Sequence, residues 1–241
     1  FRICRVDGSD FLERWQEHNA RLKRRADHLT ALQIRELHFT GPGTDLTVGL
    51  SPLAVFKGGS DRTPAGSEFE PNLPTEECFT TPDWRRTDGV VTATRPFYVN
   101  GKLVKDLILT FKNGAISGFS CSEGAATLEA YLESDEGAKR LGEVALVGVD
   151  SPVFESGLIF QEILYDENAA CHIAVGSAYK GCLVGGPSMT EEECSQVGCN
   201  TSSVHTDIMI SSEKVDVDAL LAGGERVALL VRGRWVIDRA V

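Results

Sequence analysis

Two Asn-Gly dipeptides constrain the folding of this chain more than any other feature. Asn100-Gly101 and Asn113-Gly114 separate runs of alternating apolar and polar residues at 89–99, 102–111 and 115–121. A type I′ turn needs positive φ at both central residues, which Asn and Gly tolerate best, so this arrangement is the strongest short-range hairpin signal. It predicts a three-stranded antiparallel meander. The neighbouring segments agree with a β-rich molecule. Alternation predicts strands at 33–39 and 45–50 around Gly41-Pro42-Gly43, and further strands at 142–149, 171–179 and 204–210. An apolar run covers 158–164, and a hairpin of 225–231 with 234–238 closes the chain.

Helices are few. Residues 10–29 gather Phe11, Leu12, Trp15, Leu22 and Leu29 on one side, with Asp10 placed to cap the N-terminus. Shorter helices are predicted at 123–140, broken near Gly137, and at 216–222. The arginines within 21–25 read as a solvated helix face, because acidic residues flank them. Residues 57–74 and 180–203 show no regular period and read as loops. The expected fold class is α+β: a β-rich single domain over 1–241 with a mixed or antiparallel sheet and a few helices.

Charge removes some function classes. With 24 Lys+Arg against 35 Asp+Glu the net charge is −11, which argues against a nucleic-acid or anionic-membrane surface. No apolar run approaches the roughly 20 residues that a membrane-spanning helix needs. Seven cysteines at irregular spacing, without a CxxC pair, suit reduced thiols in a cytoplasmic protein better than a disulfide framework or zinc ribbon. A Cys194–Cys199 bridge is the alternative.

Four polar motifs carry candidate chemistry. In a strand, His205 and Asp207 project to one face, a pairing suited to a divalent metal or to a surface hydrogen bond. Glu143 begins an otherwise apolar run, and a buried unpaired carboxylate must be protonated, paired or bound to a cation. Glu76 and Glu77 follow Pro74-Thr75, where a helix first turn would also favour acids. Glu167 and His172 are five residues apart, so they share a face in neither ideal element, and joint service requires the backbone to bend between them.

Taken in order, the segments NLPTEECFTTP (72–82), LGEVALVG (141–148), DENAACHIAVGSAY (166–179) and SSVHTDIMI (202–210) resemble the thermophilic (M29) aminopeptidases. LHFTGPGTDLTVGL (37–50) is similar to theirs as well. The resemblance corresponds to the C-terminal, metal-bearing part of such an enzyme, without the preceding α/β domain, in keeping with a first residue that is not Met. It implies that Glu77, Glu143, Glu167, His172, His205 and Asp207 are metal ligands, with Glu143 bridging two ions. It implies a catalytic role for Tyr179. One departure is Cys78, where relatives usually carry a branched apolar residue.

The charges fit that implication. Glu77, Glu143, Glu167 and Asp207 carry four negative charges, and two divalent cations carry four positive ones. Oxygen and nitrogen donors without thiolate suit Zn, Co or Mn. The implied function is a metal-dependent aminopeptidase acting on peptides with a free N-terminus. One metal would bind the α-amine, and a hydroxide activated by both would attack the scissile carbonyl. Glu76 is the expected general base and Tyr179 the expected oxyanion donor. The family also implies a homodimer. Two other readings stand beside this one: a two-metal hydrolase of another amide or ester, and a non-catalytic metal-stabilised dimerisation or binding module.

Overall fold

The computed structural model describes residues 1–237; the last residue of the strand expected at 234–238 lies outside the described residues. Helix α1 (Phe11–Ala31) leads into strands β1 (Ile34–Gly41) and β2 (Thr44–Leu50). A short hairpin of β3 (Asp61–Arg62) and β4 (Glu68–Phe69) precedes β5 (Cys78–Thr80) and the long β6 (Pro82–Thr92). Next come β7 (Phe97–Val99), β8 (Lys102–Val104), β9 (Ile108–Lys112), β10 (Ala115–Ser120) and helix α2 (Ala125–Leu132). Strand β11 (Leu141–Leu146), helices α3 (Pro152–Glu155) and α4 (Ile163–Glu167) and strand β12 (His172–Gly176) follow. The described chain finishes with α5 (Glu191–Gln196), β13 (His205–Met209), β14 (Asp216–Leu221), β15 (Arg226–Val231) and β16 (Arg234–Trp235).

Two antiparallel sheets share one core. The larger has the strand order β10-β9-β6-β2-β1-β14-β15-β16, and the smaller β13-β12-β11-β5. A single residue, Thr81, separates β5 from β6, so the chain steps directly from one sheet into the other. Leu37, Phe39, Leu46 and Val48 of the larger sheet pack in one cluster with Val144, Leu146, Ile173 and Ile208 of the smaller and with Leu22 and Leu29 of α1. Each such side chain contributes about 1.5–3 kcal/mol by leaving water. The result is the α+β class, with every sheet pairing antiparallel.

Both Asn-Gly turns form, with φ of 48° and 73° at Asn100 and Gly101, and 51° and 82° at Asn113 and Gly114. The expected long strands are nevertheless divided. β6 pairs with β9 and β9 with β10, while β7 and β8 form a separate hairpin whose Phe97, Val99 and Val104 pack into the core. Pro96, which cannot donate to a ladder, interrupts the first run, and Asp106 at φ 53° interrupts the second.

Other expectations are corrected. Residues 216–222 are not helical: Val217 and Ala219 are buried while Asp216 and Asp218 are partly exposed, the period-two pattern of a strand placed between β1 and β15. Helix α2 stops at Leu132, before Gly137, because the Asp135 carboxylate accepts Ala138 N–H and starts a separate 3₁₀ turn. Within 180–203, α5 carries a capping box in which Thr190 and Glu193 bond reciprocally. Asp10 makes no side-chain capping bond. Arg25, expected at a solvated face, is buried and stacks over Trp235 at 4.7 Å.

Gly176 ties the fold to the later chemistry. It pairs with His205 at φ 105°, where a Cβ would lie 2.0 Å from the Val204 carbonyl oxygen. Gly176→Ala is therefore expected to cost at least about 2 kcal/mol in urea unfolding, through positive φ combined with a backbone clash.

Candidate metal centre

The smaller sheet brings distant residues into one row. In the pairing of β11, β12 and β13, Glu143 and Asp207 both stand opposite Ala174. Cross-strand partners point to the same face, so the two carboxylates flank a single methyl group. His172 and His205 lie two residues before Ala174 and Asp207 on their strands and share that face. The register shift between Leu141 and Glu143 is the kind of irregularity that re-aims a side chain near a site. Glu77 enters from the residue before β5, and Glu167 from the last residue of α4. The chain turns over 168–171, between α4 and β12, and this allows Glu167 and His172 to face one cavity.

That cavity, about 970 Å³, is lined by Glu77, Glu143, Glu167, His172, His205, Asp207 and Tyr179. His172 Nε2 lies 3.1 Å from Glu77 Oε2, 3.9 Å from Glu143 Oε1 and 4.0 Å from Asp207 Oδ1. His205 Nε2 lies 3.4 Å from Glu143 Oε2 and 3.6 Å from Asp207 Oδ1. Two donor triads result, Glu77–Glu143–His172 and Glu143–His205–Asp207, each with its ligand atoms within 4.8 Å of one another. Glu143 belongs to both. Glu167 falls in neither triad, but it interacts with Asp207 and senses the charge of Glu77.

The imidazoles are oriented by main-chain acceptors. His172 Nδ1 faces the carbonyl oxygens of Glu167 at 3.1 Å and Ala170 at 3.2 Å, and His205 Nδ1 faces that of Ser177 at 2.8 Å. An N–H at Nδ1 leaves each Nε2 as the free donor atom, the usual outer-shell device of a metal-binding histidine. Glu77 Oε2 is buried with His172 Nε2 3.1 Å away and, among the described residues, no hydrogen bond of good geometry. A buried anionic oxygen without a well-aligned hydrogen bond, beside two preoriented imidazoles and three further carboxylates, fits divalent cations.

The charge state of the cluster says the same. Burial raises Glu143 to about 7, with the nearby carboxylates adding to the effect, and raises Glu167 to about 9. Burial opposes a charge on His205, but hydrogen bonds to Asp207 and Glu143 outweigh it and lift the imidazole to about 10. His172 is likewise buried, yet Glu77 and its neighbours hold it well above its ordinary value. The chain alone therefore keeps protons where cations would sit.

Two expected residues stand differently. Tyr179 lines the cavity half-exposed, its ring 5.1 Å from that of His205 and 6.0 Å from that of Phe79. Burial, and then the field of Glu143 and Asp207, raises its phenol above the ordinary value, so it stays protonated at neutral pH. Glu76 is turned elsewhere. Its carboxylate is held by both Arg5 guanidinium nitrogens and does not line the cavity. Sequence reasoning did not find Arg5, nor the buried Asn168, whose side chain reaches the Glu76 amide at 2.7 Å. Asn168 lies inside a quoted motif, so the available signal was a buried amide in place of one more acid.

Comparison with known proteins places this geometry. A family model described as "Thermophilic metalloprotease (M29)" matches residues 1–235. Aminopeptidase T of Thermus aquaticus is 48% identical over 98% of this chain and 58% of its own length. The chain belongs to the M29 metalloprotease family. Wild-type AmpT from Thermus thermophilus superimposes with a TM-score of 0.87 at 45% identity, over 93% of this chain and 55% of that one. The 2,5-dihydroxypyridine dioxygenase of Pseudomonas putida KT2440 shares the fold alone, with a TM-score of 0.57 at 18% identity over 91% of this chain and 62% of that one. This M29 chain thus spans a little more than half the length of the relatives it matches. Among the described residues, no helix is long and apolar enough to cross a membrane.

The protonated cluster has a measurable consequence. Glu143 and Glu167 are raised from an ordinary 4.5, and His205 from 6.5. The folded chain therefore binds more protons than the unfolded one from about pH 5 to pH 9, and stability falls as pH rises through that window. Asp207 has the opposite sign but acts only near and below its ordinary 3.8. Chelated protein should show a Tm that drops between pH 6 and pH 9, whereas protein loaded with Zn²⁺ should show a much flatter profile, because cations take the place of the protons.

Proposed function

We propose that residues 1–241 form the metal-bearing catalytic domain of an M29 aminopeptidase that removes N-terminal residues from peptides, using two divalent ions. One observation carries this reading: the two triads meet in a single shared carboxylate, Glu143. Two cations a few ångströms apart need such a bridge, and four carboxylates balance their charge. The identity of the relatives supports the substrate class. Zn, Co and Mn all suit the donors.

Bound there, the ions would supply Lewis-acid polarisation of the scissile carbonyl and acidify the attacking water. The chain's own residues do the rest. Glu143 joins the two halves of the centre, while Glu77 with His172, and His205 with Asp207, complete them. Glu167 adds a fourth carboxylate to the cavity wall. Tyr179, held protonated, offers its O–H to the oxyanion that develops as the carbonyl is attacked. Glu76 can move the proton to the leaving amine only if Arg5 releases its carboxylate. The same pairing gives Glu76 a second duty, fixing the segment that presents Glu77. Seven free cysteines suit a cytoplasmic home, and a homodimer is part of the proposal on family grounds.

The decisive experiment measures metal per chain and then follows cleavage of a leucyl reporter through chelation and re-addition of Zn²⁺, Co²⁺ or Mn²⁺. Two ions, loss of activity on chelation and its return are expected. Peptides with a free amine should be cleaved and their N-acetylated versions spared. Cleavage of both would favour the broader amide hydrolase, and metal without turnover the binding module.

Tyr179→Phe is expected to lower kcat by about 10²–10³-fold with metal content unchanged, as for loss of one oxyanion donor. A fall in metal content instead would remove the assigned role.

A further inference from the structure

We propose that Asn168 is a positioning residue that sets one half of the metal centre, the Glu77–Glu143–His172 triad, more directly than the other. The inference rests on the dinuclear reading above. Asn168 is fully buried, and its side chain joins two segments that approach the cavity from different parts of the sequence. Its Oδ1 accepts the Glu76 N–H at 2.7 Å. Its Nδ2 donates to the carbonyl oxygens of Leu164 at 2.7 Å and Pro74 at 3.4 Å. Both of its N–H donors and its carbonyl are thereby used, so the amide is fixed in orientation as well as place.

What it joins matters for ligand geometry. On one side Asn168 holds the N–H of Glu76, and Glu77 follows directly in the chain. On the other side Glu167 precedes Asn168 in the chain, and the Glu167 carbonyl oxygen faces His172 Nδ1 at 3.1 Å. The Asn168 carbonyl in turn accepts the Ser151 hydroxyl, which anchors the turn from below. One amide thus fixes the spacing between the segment that presents Glu77 and the turn that orients His172. The remaining bonds to 75–76 come from the opposite side, His18 to the Thr75 carbonyl and Arg5 to the Glu76 carboxylate. They hold the segment but do not refer it to α4.

The second triad meets Asn168 indirectly, through Glu167, which precedes it in the chain and hydrogen-bonds Asp207. His205 is oriented by the Ser177 carbonyl, and Asp207 also by the β12–β13 ladder opposite Ala174. Loss of the Asn168 side chain should therefore loosen the first site more than the second. A buried residue with a merely structural role would weaken both alike.

The test titrates the metal-free 241-residue chain with Zn²⁺ against a competing chelator, in the wild type, N168A and N168D, with Tm of the metal-free proteins alongside. Two sites are expected in the wild type. In N168A one of them should weaken by about 10–100-fold, the usual range for loss of an outer-shell partner, while the other changes much less. N168D retains an acceptor for the Glu76 N–H but turns an oxygen toward the Leu164 and Pro74 carbonyls in place of the donors, so it should weaken the same site as N168A. That isosteric change also keeps the test readable if the alanine variant does not fold. Equal weakening of both sites, or of neither, overturns the inference. A wild type that takes up fewer than two ions overturns the dinuclear reading and this inference with it, whereas a normal wild type with normal variants overturns the inference alone.

Discussion

A glutamate standing in an apolar strand governs the architecture of this chain. Glu143 is buried among Val144, Ala145 and Leu146 on β11, with Glu77 and Asp207 close enough to raise its proton affinity. An isolated charge in that position would cost several kcal/mol, so the surroundings must answer it. They do so with two histidines whose other ring nitrogens are occupied by main-chain carbonyls, and with a cavity of about 970 Å³. The small residues Ala174 and Gly176 on the middle strand belong to the same solution. Ala174 stands between Glu143 and Asp207, and a side chain at Gly176 would strike the backbone that carries His205.

The two sheets divide the work. The larger sheet and α1 bury more apolar side chains in the shared core than the smaller sheet, which supplies the row of candidate ligands. Because both contribute to one core, the ligand strands sit on a rigid support, which is what a preorganised metal centre requires. Arg5, His18 and Asn168 extend that support to the segment 74–77, which is not itself in a strand. Glu77 is thereby held as firmly as the ligands on the sheet. Adjacent glutamates here do unlike things: Glu77 faces the cavity and Glu76 faces Arg5.

Much of this was legible beforehand, and the failures have physical causes. The Asn-Gly turns formed because their φ demands are local. The strands beside them were drawn too long, since Pro96 and the left-handed Asp106 break the ladder in ways that alternation alone does not reveal. Residues 216–222 contain Asp, Ala and Leu, weak witnesses between helix and strand, and a place between β1 and β15 decided the matter. The capping box at Thr190 and Glu193 was a readable signal for α5. At the site, the candidate ligands came from motif order, and their separation along the chain gave no distance.

The sequence by itself determined the residue types and their order: alternation that makes sheets, turns that reverse them, and carboxylates and imidazoles set into apolar runs. Those properties depend on near neighbours and are written locally. Only the tertiary structure decided that Glu143 belongs to both triads, that Glu76 turns to Arg5, and that Asn168 links 74–76 to α4. Each of these depends on strand register or on a contact between residues about 30 to 90 positions apart. Such pairings are fixed by how the two sheets pack, a property that no short stretch of sequence contains.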